Sequence, residues 1–443
     1  MARKQAKQRF ELVHPHCAGI DIGSREHWVA ASRDHEPCVR SFATFTHDLN
    51  QLADWLTELK IEVVAMEATG VYWIPLFELL DARGFKVYLV NSRATRQISG
   101  RKSDVLDCQW IWQLMSHGLL RGAFRPSDSI CSIRALVRQR ANKVRDQAQT
   151  LNRIQKALTQ MNIQLANVIS DISGATGMRI LRAIIAGERD PQALAGMIDP
   201  RIKASRETVA RSLHGNWRLE HLHALEQEVE AYDFLERQIA GNDKAIAGAL
   251  EQLPVREDAP KPSRKVLRSP HRSATDQAAL HQALWRVMGV DLTAIPTIGV
   301  DTALVLASEV GPDLGRFASS QHFCSWLGLA PPTRISGGRQ LYGAGPKVLN
   351  RAAQALKQAA SNARNDKSFI GASHRARLSR MDTSCAIKAT AHQIARLIYA
   401  MLTQGQPYVE QGIEAFEARS KDRQLRALLR KARKLGLELA KAA

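Results

Sequence analysis

Over its first 120 or so residues the chain alternates short apolar runs with amphipathic stretches, and that order restricts its fold more than any other feature. Three runs come first, near 17–24, 26–33 and 38–45, close enough together for an antiparallel meander. The pattern then predicts a helix over Asp48 to Lys60, a strand ending at Glu67, a helix over Tyr72 to Arg83, a strand over Lys86 to Asn91 and a further helix from Asp104. Gly70 and Gly84 stand where a turn and a helix end favour glycine. The expected order is β-β-β-α-β-α-β-α.

Carboxylates occupy unusual places in this pattern. Asp21 lies inside Cys17-Ala18-Gly19-Ile20-Asp21-Ile22-Gly23-Ser24, where a core strand would continue with Val or Ile. Glu67 repeats the arrangement at the end of the run from Val63 to Gly70. An unpaired carboxylate in an apolar setting costs several kcal/mol unless something compensates it. Asp104 and Asp107 are three apart, so a helix turns both toward one point. That pair has a plainer explanation, a first helical turn with Ser103 as N-cap and acids favoured by the dipole. Oxygen clusters of this kind suit Mg²⁺ or Mn²⁺, and two such ions about 4 Å apart assist in-line displacement at a phosphodiester. The element order and the acids together are similar to an RNase H-like (RuvC-like) nuclease domain.

Composition agrees with a polyanionic partner. Lys and Arg number 62 against 43 Asp and Glu, a formal charge of +19, which makes nucleic acid the economical choice. At 443 residues the length suggests about three domains. No apolar stretch approaches a membrane span, and the basic segment Met1 to Arg9 lacks the apolar run of a signal peptide, so a cytoplasmic, nucleoid-associated protein is expected. Six cysteines without a C-x-x-C pair support neither a disulfide framework nor a zinc knuckle. His14, His16 and Cys17 read as residues at the start of a strand rather than metal ligands.

Beyond residue 125 the pattern becomes helical. Val144, Leu151 and Leu158 recur at seven within Arg134 to Gln164, as do Leu225, Tyr232, Ile239 and Ile246 within Leu222 to Leu253. These are expected to form coiled-coil arms, paired with each other or with another copy, or part of a helical bundle. Between them, 171–216 is an insert of short helices without an assignable role. Pro254 to Thr275, with four prolines and six Lys or Arg, reads as a basic linker. Ile295-Pro296-Thr297-Ile298-Gly299 before an apolar helix is similar to a helix-hairpin-helix turn, whose amides at Ile298 and Gly299 would hold a phosphate; an ordinary tight turn is the alternative. A Gly-rich loop then runs from Arg334 through Ser336 and Arg339 to Gly345, and helices resume at Lys347.

Gly-Ile-Asp-Ile-Gly, Met-Glu-Ala-Thr-Gly, Lys-Ser-Asp-Val-Leu-Asp, Ile-Pro-Thr-Ile-Gly, Trp-Leu-Gly-Leu-Ala-Pro and Arg-Ile-Ser-Gly-Gly occur in that order. Together they resemble the DEDD transposases of the insertion-sequence family IS-one-ten, bridge-RNA-guided recombinases, over about residues 14–165 and 285–410. The resemblance implies that Asp21, Glu67, Asp104 and Asp107 form the metal-binding acid tetrad and that Ser336 is the nucleophile. It also implies two DNA duplexes (donor and target) as substrates, a guide RNA as partner, and a homo-oligomer, dimer or tetramer. The central region is longer than in compact members, and Ser336 is followed by Gly-Gly rather than a serine-rich run. Arg334 and Arg339 flank Ser336 closely enough to steady a phosphate, and Lys347 and Arg351 are further candidates for phosphate contact. Alone, a serine among glycines is more often turn chemistry than a nucleophile.

The expected fold is therefore α/β plus α. It comprises an RNase H-like domain over 1–125, helical arms over 126–253, the linker over 254–275, a mainly helical serine-bearing domain over 276–410 and a basic helical tail over 411–443. Three rival readings stand beside it. One is a metal-dependent resolvase or nuclease in which water attacks; another is a catalytically silent nucleic-acid scaffold. The last is tyrosine chemistry, from the H-x-x-R of His374-Arg375-Ala376-Arg377 with Tyr399 downstream.

Overall fold

The computed structural model describes residues 12–33, 36–91, 95, 103–255, 274–331, 334–337, 339–341 and 350–405, with scattered positions from 422 to 436. The chain forms two compact units, Met1–Arg125 and Pro126–Ala443.

In the first unit, strands β1 (Cys17–Ile22), β2 (Glu26–Arg33) and β3 (Glu36–Ala43) form an antiparallel meander. Helix α1 (Thr46–Glu58) leads to β4 (Val63–Glu67), which pairs parallel with β1. Helix α2 (Ile74–Ala82) leads to β5 (Lys86–Val90), parallel to β4. The sheet order is β3-β2-β1-β4-β5, followed by α3 (Asp104–Ser116).

Strand alternation divides this sheet into two faces. Ala18, Ile20 and Ile22 of β1 with Val64 and Met66 of β4 pack against Leu52 and Leu56 of α1 and Leu76 and Leu80 of α2. Cys17, Val63, Ala65 and Val90 face the other way, against Ile111 and Met115 of α3. Asp21 and Glu67 share the parity of this second set. Gly19 lies between, under α3: a Cβ there would run into the backbone of Trp112 and reach 2.6 Å from the Cys108 carbonyl. The bare backbone at this position is what lets α3 lie directly on β1.

The second unit opens with α4 (Asp128–Gln160), six residues earlier than the heptad pattern indicates. Short helices α5 (Ala175–Ile185), α6 (Pro191–Ala195) and α7 (Arg206–Ser212) follow, then α8 (Leu219–Glu251). The ion pairs Arg140–Asp243 at 2.6 Å and Arg153–Glu228 at 2.6 Å run in opposite sequence directions, so α4 and α8 pair antiparallel within one chain. The insert is a folded cap on this pair: Met178, Leu181, Ile184, Leu194, Val209 and Leu213 share one core with Ile154 and Leu158 of α4 and Leu225 and Val229 of α8.

Helices α9 (Ala274–Met288), α10 (Val300–Val310) and α11 (Ser320–Trp326) precede a small hairpin, β6 (Arg334–Ser336) and β7 (Arg339–Leu341). The bundle closes with α12 (Arg351–Asn362), α13 (Phe369–Leu378) and α14 (Thr383–Gln404). Glu309 ties α10 to α4: its carboxylate accepts from Arg138 at 2.8 and 2.7 Å, while Arg134 donates to the Ser308 and Glu309 carbonyls. The basic linker, but for Pro254, Val255 and the start of α9, lies outside the described residues, as does most of the tail.

Candidate active site

Asp21, Asp104 and Asp107 each offer a carboxylate oxygen, and these oxygens lie within 4.8 Å of one another. Two elements bring them together. β1 carries Asp21 on the face that α3 covers, and the first turn of α3 carries Asp104 and Asp107. Ser103 begins that helix, its Oγ accepting from the Leu106 amide at 3.3 Å, so the plain capping role and the convergence of the acids hold together. Asp104 is exposed, Asp21 and Asp107 half-buried. Like charges this close repel, and a cation removes that penalty. Hard oxygens alone, with no His or Cys in the group, fit Mg²⁺ or Mn²⁺ better than zinc.

Glu67 stands apart from this trio. The β1–β4 ladder pairs Ile20 with Met66, so Asp21 and Glu67 occupy the next position on adjacent parallel strands, on one face. Yet Glu67 is outside the mutual group, and its oxygens accept from Thr95 Oγ1 at 2.8 Å and Thr69 Oγ1 at 3.4 Å. The backbone of buried Thr95 is in turn held by Trp110 Nε1 of α3 at 2.9 Å. Nothing in the sequence signals Thr95. Asp21 and Glu67 are both partly buried, next to last in β1 and last in β4.

The surroundings are electronegative and tightly packed. Burial, then the charges of Asp21 and Asp107, push the Cys108 thiol up to about 12 despite backbone hydrogen bonds that lower it, so it stays neutral. Directly across from Asp21 on β2 is Trp28, whose buried Nε1 has no hydrogen-bond partner.

Two comparisons bear on this arrangement. A family described as "Transposase", of the DEDD IS110 type, matches residues 18–163, and the "Transposase IS116/IS110/IS902 family" matches residues 291–369. Together they cover just over half of the chain. The chain belongs to the IS110 transposase family. The first match spans the sheet, α3 and α4; the second spans the turn before α10 through the start of α13. No curated protein matches the chain. As a family of transposases, these are enzymes that cut and rejoin DNA, and a DEDD member's acids are the expected place for a divalent metal. No described helix of this transposase is long and apolar enough to cross a membrane.

The second family region differs in places from the sequence expectation. In place of an irregular Gly-rich loop, β6 and β7 form an antiparallel hairpin in which Ser336 pairs with Arg339 across a turn containing Gly337 at φ +55°. A glycine at positive φ suits the tight turn such hairpins need. Ser336 is thus the last strand residue before the tip, and Arg334 is opposite Leu341. Lys347 lies outside the described residues. Helix α12 begins at Arg351, half-exposed, with Asn350 as N-cap.

At the Ile-Pro-Thr-Ile-Gly turn, Ile298 is corrected as a phosphate ligand. Its side chain is buried and its amide donates to the Ile295 carbonyl at 3.1 Å, so that amide is already spent. Gly299, the N-cap position of α10, keeps partial exposure. Thr297 holds φ +76°, a strained value for a β-branched residue, with its buried hydroxyl unpartnered.

The tyrosine alternative finds no site. Tyr399 donates its hydroxyl to the Phe317 carbonyl at 2.7 Å beside Phe323. Buried His374 and Arg377 both bind Thr390 Oγ1 at 2.9 Å. His374 and Arg377 thus join α13 to α14, and the Tyr399 hydroxyl is engaged by a backbone carbonyl.

Proposed function

We propose that this transposase cuts and rejoins DNA with Ser336 as nucleophile, at a metal site built on an RNase H-like domain from Asp21, Asp104 and Asp107 with Glu67 beside them. The observation that carries the reading is the convergence of three carboxylates from a strand and a helix far apart in sequence. The meander continued by two parallel strands, each reached through a helix, supports the RNase H-like assignment. Mg²⁺ or Mn²⁺ bound there would neutralise charge on the scissile phosphate and favour ionised oxygen over hydroxyl.

The hydroxyl of Ser336 would attack a DNA phosphorus, forming a phosphoserine ester while the 3′-oxygen leaves and takes up a proton. Bond energy is kept for joining to a second strand. No base is adjacent to Ser336 in sequence, so its activation requires it to reach the acid cluster, within one protomer or between two. Arg334, Arg339, Lys347, Arg351 and Gly299 are the proposed phosphate contacts, all within a serine-bearing domain spanning 276–410. The antiparallel α4–α8 pair is the proposed coiled-coil arm. A bridge RNA choosing the sites would explain why backbone contacts suffice, since pairing then reads sequence. Assembly as a dimer or tetramer would bring two duplexes together.

Trapping on a DNA suicide substrate tests the chemistry. A covalent adduct that disappears in Ser336→Ala supports the serine, whereas cleavage without adduct assigns the attack to water. Cleavage that survives Asp104→Ala or EDTA removes the metal site from either mechanism. Sequencing RNA that copurifies with the protein tests the guide.

A further inference from the structure

The helices that close the second unit carry a charge imbalance of which the proposed active site uses only Arg351. Residues 350–405 contain nine Lys or Arg and two acids, Asp366 and Asp382. Elsewhere in this unit arginines find carboxylates, as in Arg138–Glu309, Arg140–Asp243, Arg153–Glu228 and Arg182–Asp233. Among the described residues, none of the nine cations between the start of α12 and the end of α14 has such a partner.

Several are held in place by neutral groups instead. Arg375 donates to the Asp366 carbonyl at 2.6 Å and the Arg364 carbonyl at 3.2 Å. Arg377 donates to Thr390 Oγ1 at 2.9 Å and Gln393 Oε1 at 2.6 Å, and Arg380 to the Ala376 carbonyl at 2.9 Å. Such bonds fix direction without cancelling charge. On α14, Lys388, His392 and Arg396 follow at intervals of four, one stripe with steps of about 6 Å. Favourable interaction with a helix C-terminus explains Arg375 and Arg377 in the last turn of α13, but not Lys388 and Arg396 in mid-helix.

The cations also crowd one another. Burial, then Arg396, Arg377 and Lys388, hold His392 below its ordinary value; burial, then Arg377, Arg364 and Arg375, do the same to His374. Both imidazoles therefore sit in one positive field contributed by α13, the turn before it, and α14.

We propose that this face of α13 and α14, centred on Lys388 and Arg396 with Arg380 at its margin, is a docking surface for the phosphodiester backbone of duplex DNA. Of these cations Arg380 is already oriented by the Ala376 carbonyl, which meets part of its ordering cost, and a polyanion relieves the mutual repulsion of the uncompensated group. The choice of DNA rests on the family's substrate; the surface itself is independent of which group performs the cleavage.

The test is binding of the full chain to a fluorescein-labelled mixed-sequence DNA duplex, followed by anisotropy across a salt series. Removing one cation that neutralises a phosphate should lower the slope of log K against log salt by about 0.9, so Lys388→Gln/Arg396→Gln should reduce it by about 1.8. Lys388→Arg/Arg396→Lys should bind as the parent does, which separates charge from folding. The reference variant Arg201→Gln/Lys203→Gln removes the same charge from the cap and should leave the slope unchanged. The series is run in EDTA for the parent and the Gln pair alike, so the fall in slope is read without the metal-dependent chemistry, and a failed active-site reading would not be confused with a failed surface. An unchanged slope in the Gln pair, an equal fall in the cap variant, or a loss seen only with an RNA duplex overturns the proposal.

Discussion

Gly19→Ala tests whether close approach of α3 to β1 assembles the acid cluster. The new methyl would fall within the backbone of Trp112 and 2.6 Å from the Cys108 carbonyl, against an ordinary carbon contact of about 3.5 Å. Backbone cannot swing aside as a side chain can, so α3 must retreat by roughly 1 Å. Cys108 directly follows Asp107, so the carboxylates of α3 retreat with it while Asp21 stays on the strand. Overpacking of this kind costs about 1–3 kcal/mol, and a displacement near 1 Å of a catalytic group costs about 100-fold in rate. Thermal melting measures the first. Single-turnover DNA cleavage, at a temperature where circular dichroism shows the variant folded, measures the second. A variant that melts lower yet cleaves at the parent rate would refute the claim that helix position sets the site.

Three further outcomes follow from packing. Burial lowers His27 from 6.5 to about 4, so the unfolded chain takes up this proton first; stability is intact above about pH 6.5 and falls as pH drops toward 4, by up to roughly 3 kcal/mol. The denaturant midpoint should therefore be less acid-sensitive in His27→Leu than in the parent, and equal sensitivity would sink the assignment. Glu309→Ala leaves Arg138 and Arg134 without their buried carboxylate and should cost about 2–3 kcal/mol, at the low end for a buried pair because Arg138 is 44% exposed. A melting temperature equal to the parent's would show that α4 and α10 do not depend on it. Gly241, within α8, has nothing within 4 Å of an added Cβ, so Gly241→Ala should raise stability by about 0.5–1 kcal/mol; a lower melting temperature would count against the open helical setting.

Much of the sheet is legible in the sequence because strand order follows from runs of apolar residues and their turns. The boundaries differ by about two residues, as at β3 and α1, where turn geometry rather than pattern decides the last paired residue. Asp104 and Asp107 are readable as neighbours because helical spacing is local. The hairpin at Ser336 is foreshadowed by its Gly-Gly pair, but strands of three residues each give too little alternation to distinguish it from a loop. The H-x-x-R match misleads because a short motif carries no information about what its side chains touch, here Thr390 and Gln393.

By itself the amino-acid order determined the strands and helices of the first unit, the acids near their ends and the strongly cationic charge, because periodicity and charge are local properties. Only the tertiary structure decided that Asp21 meets Asp104 and Asp107 while Glu67 is held by Thr95, that α4 pairs with α8 of the same chain, and that the cations of α13 and α14 lack acidic partners. Those outcomes depend on contacts between residues distant in sequence, whose energies no pattern along the chain contains.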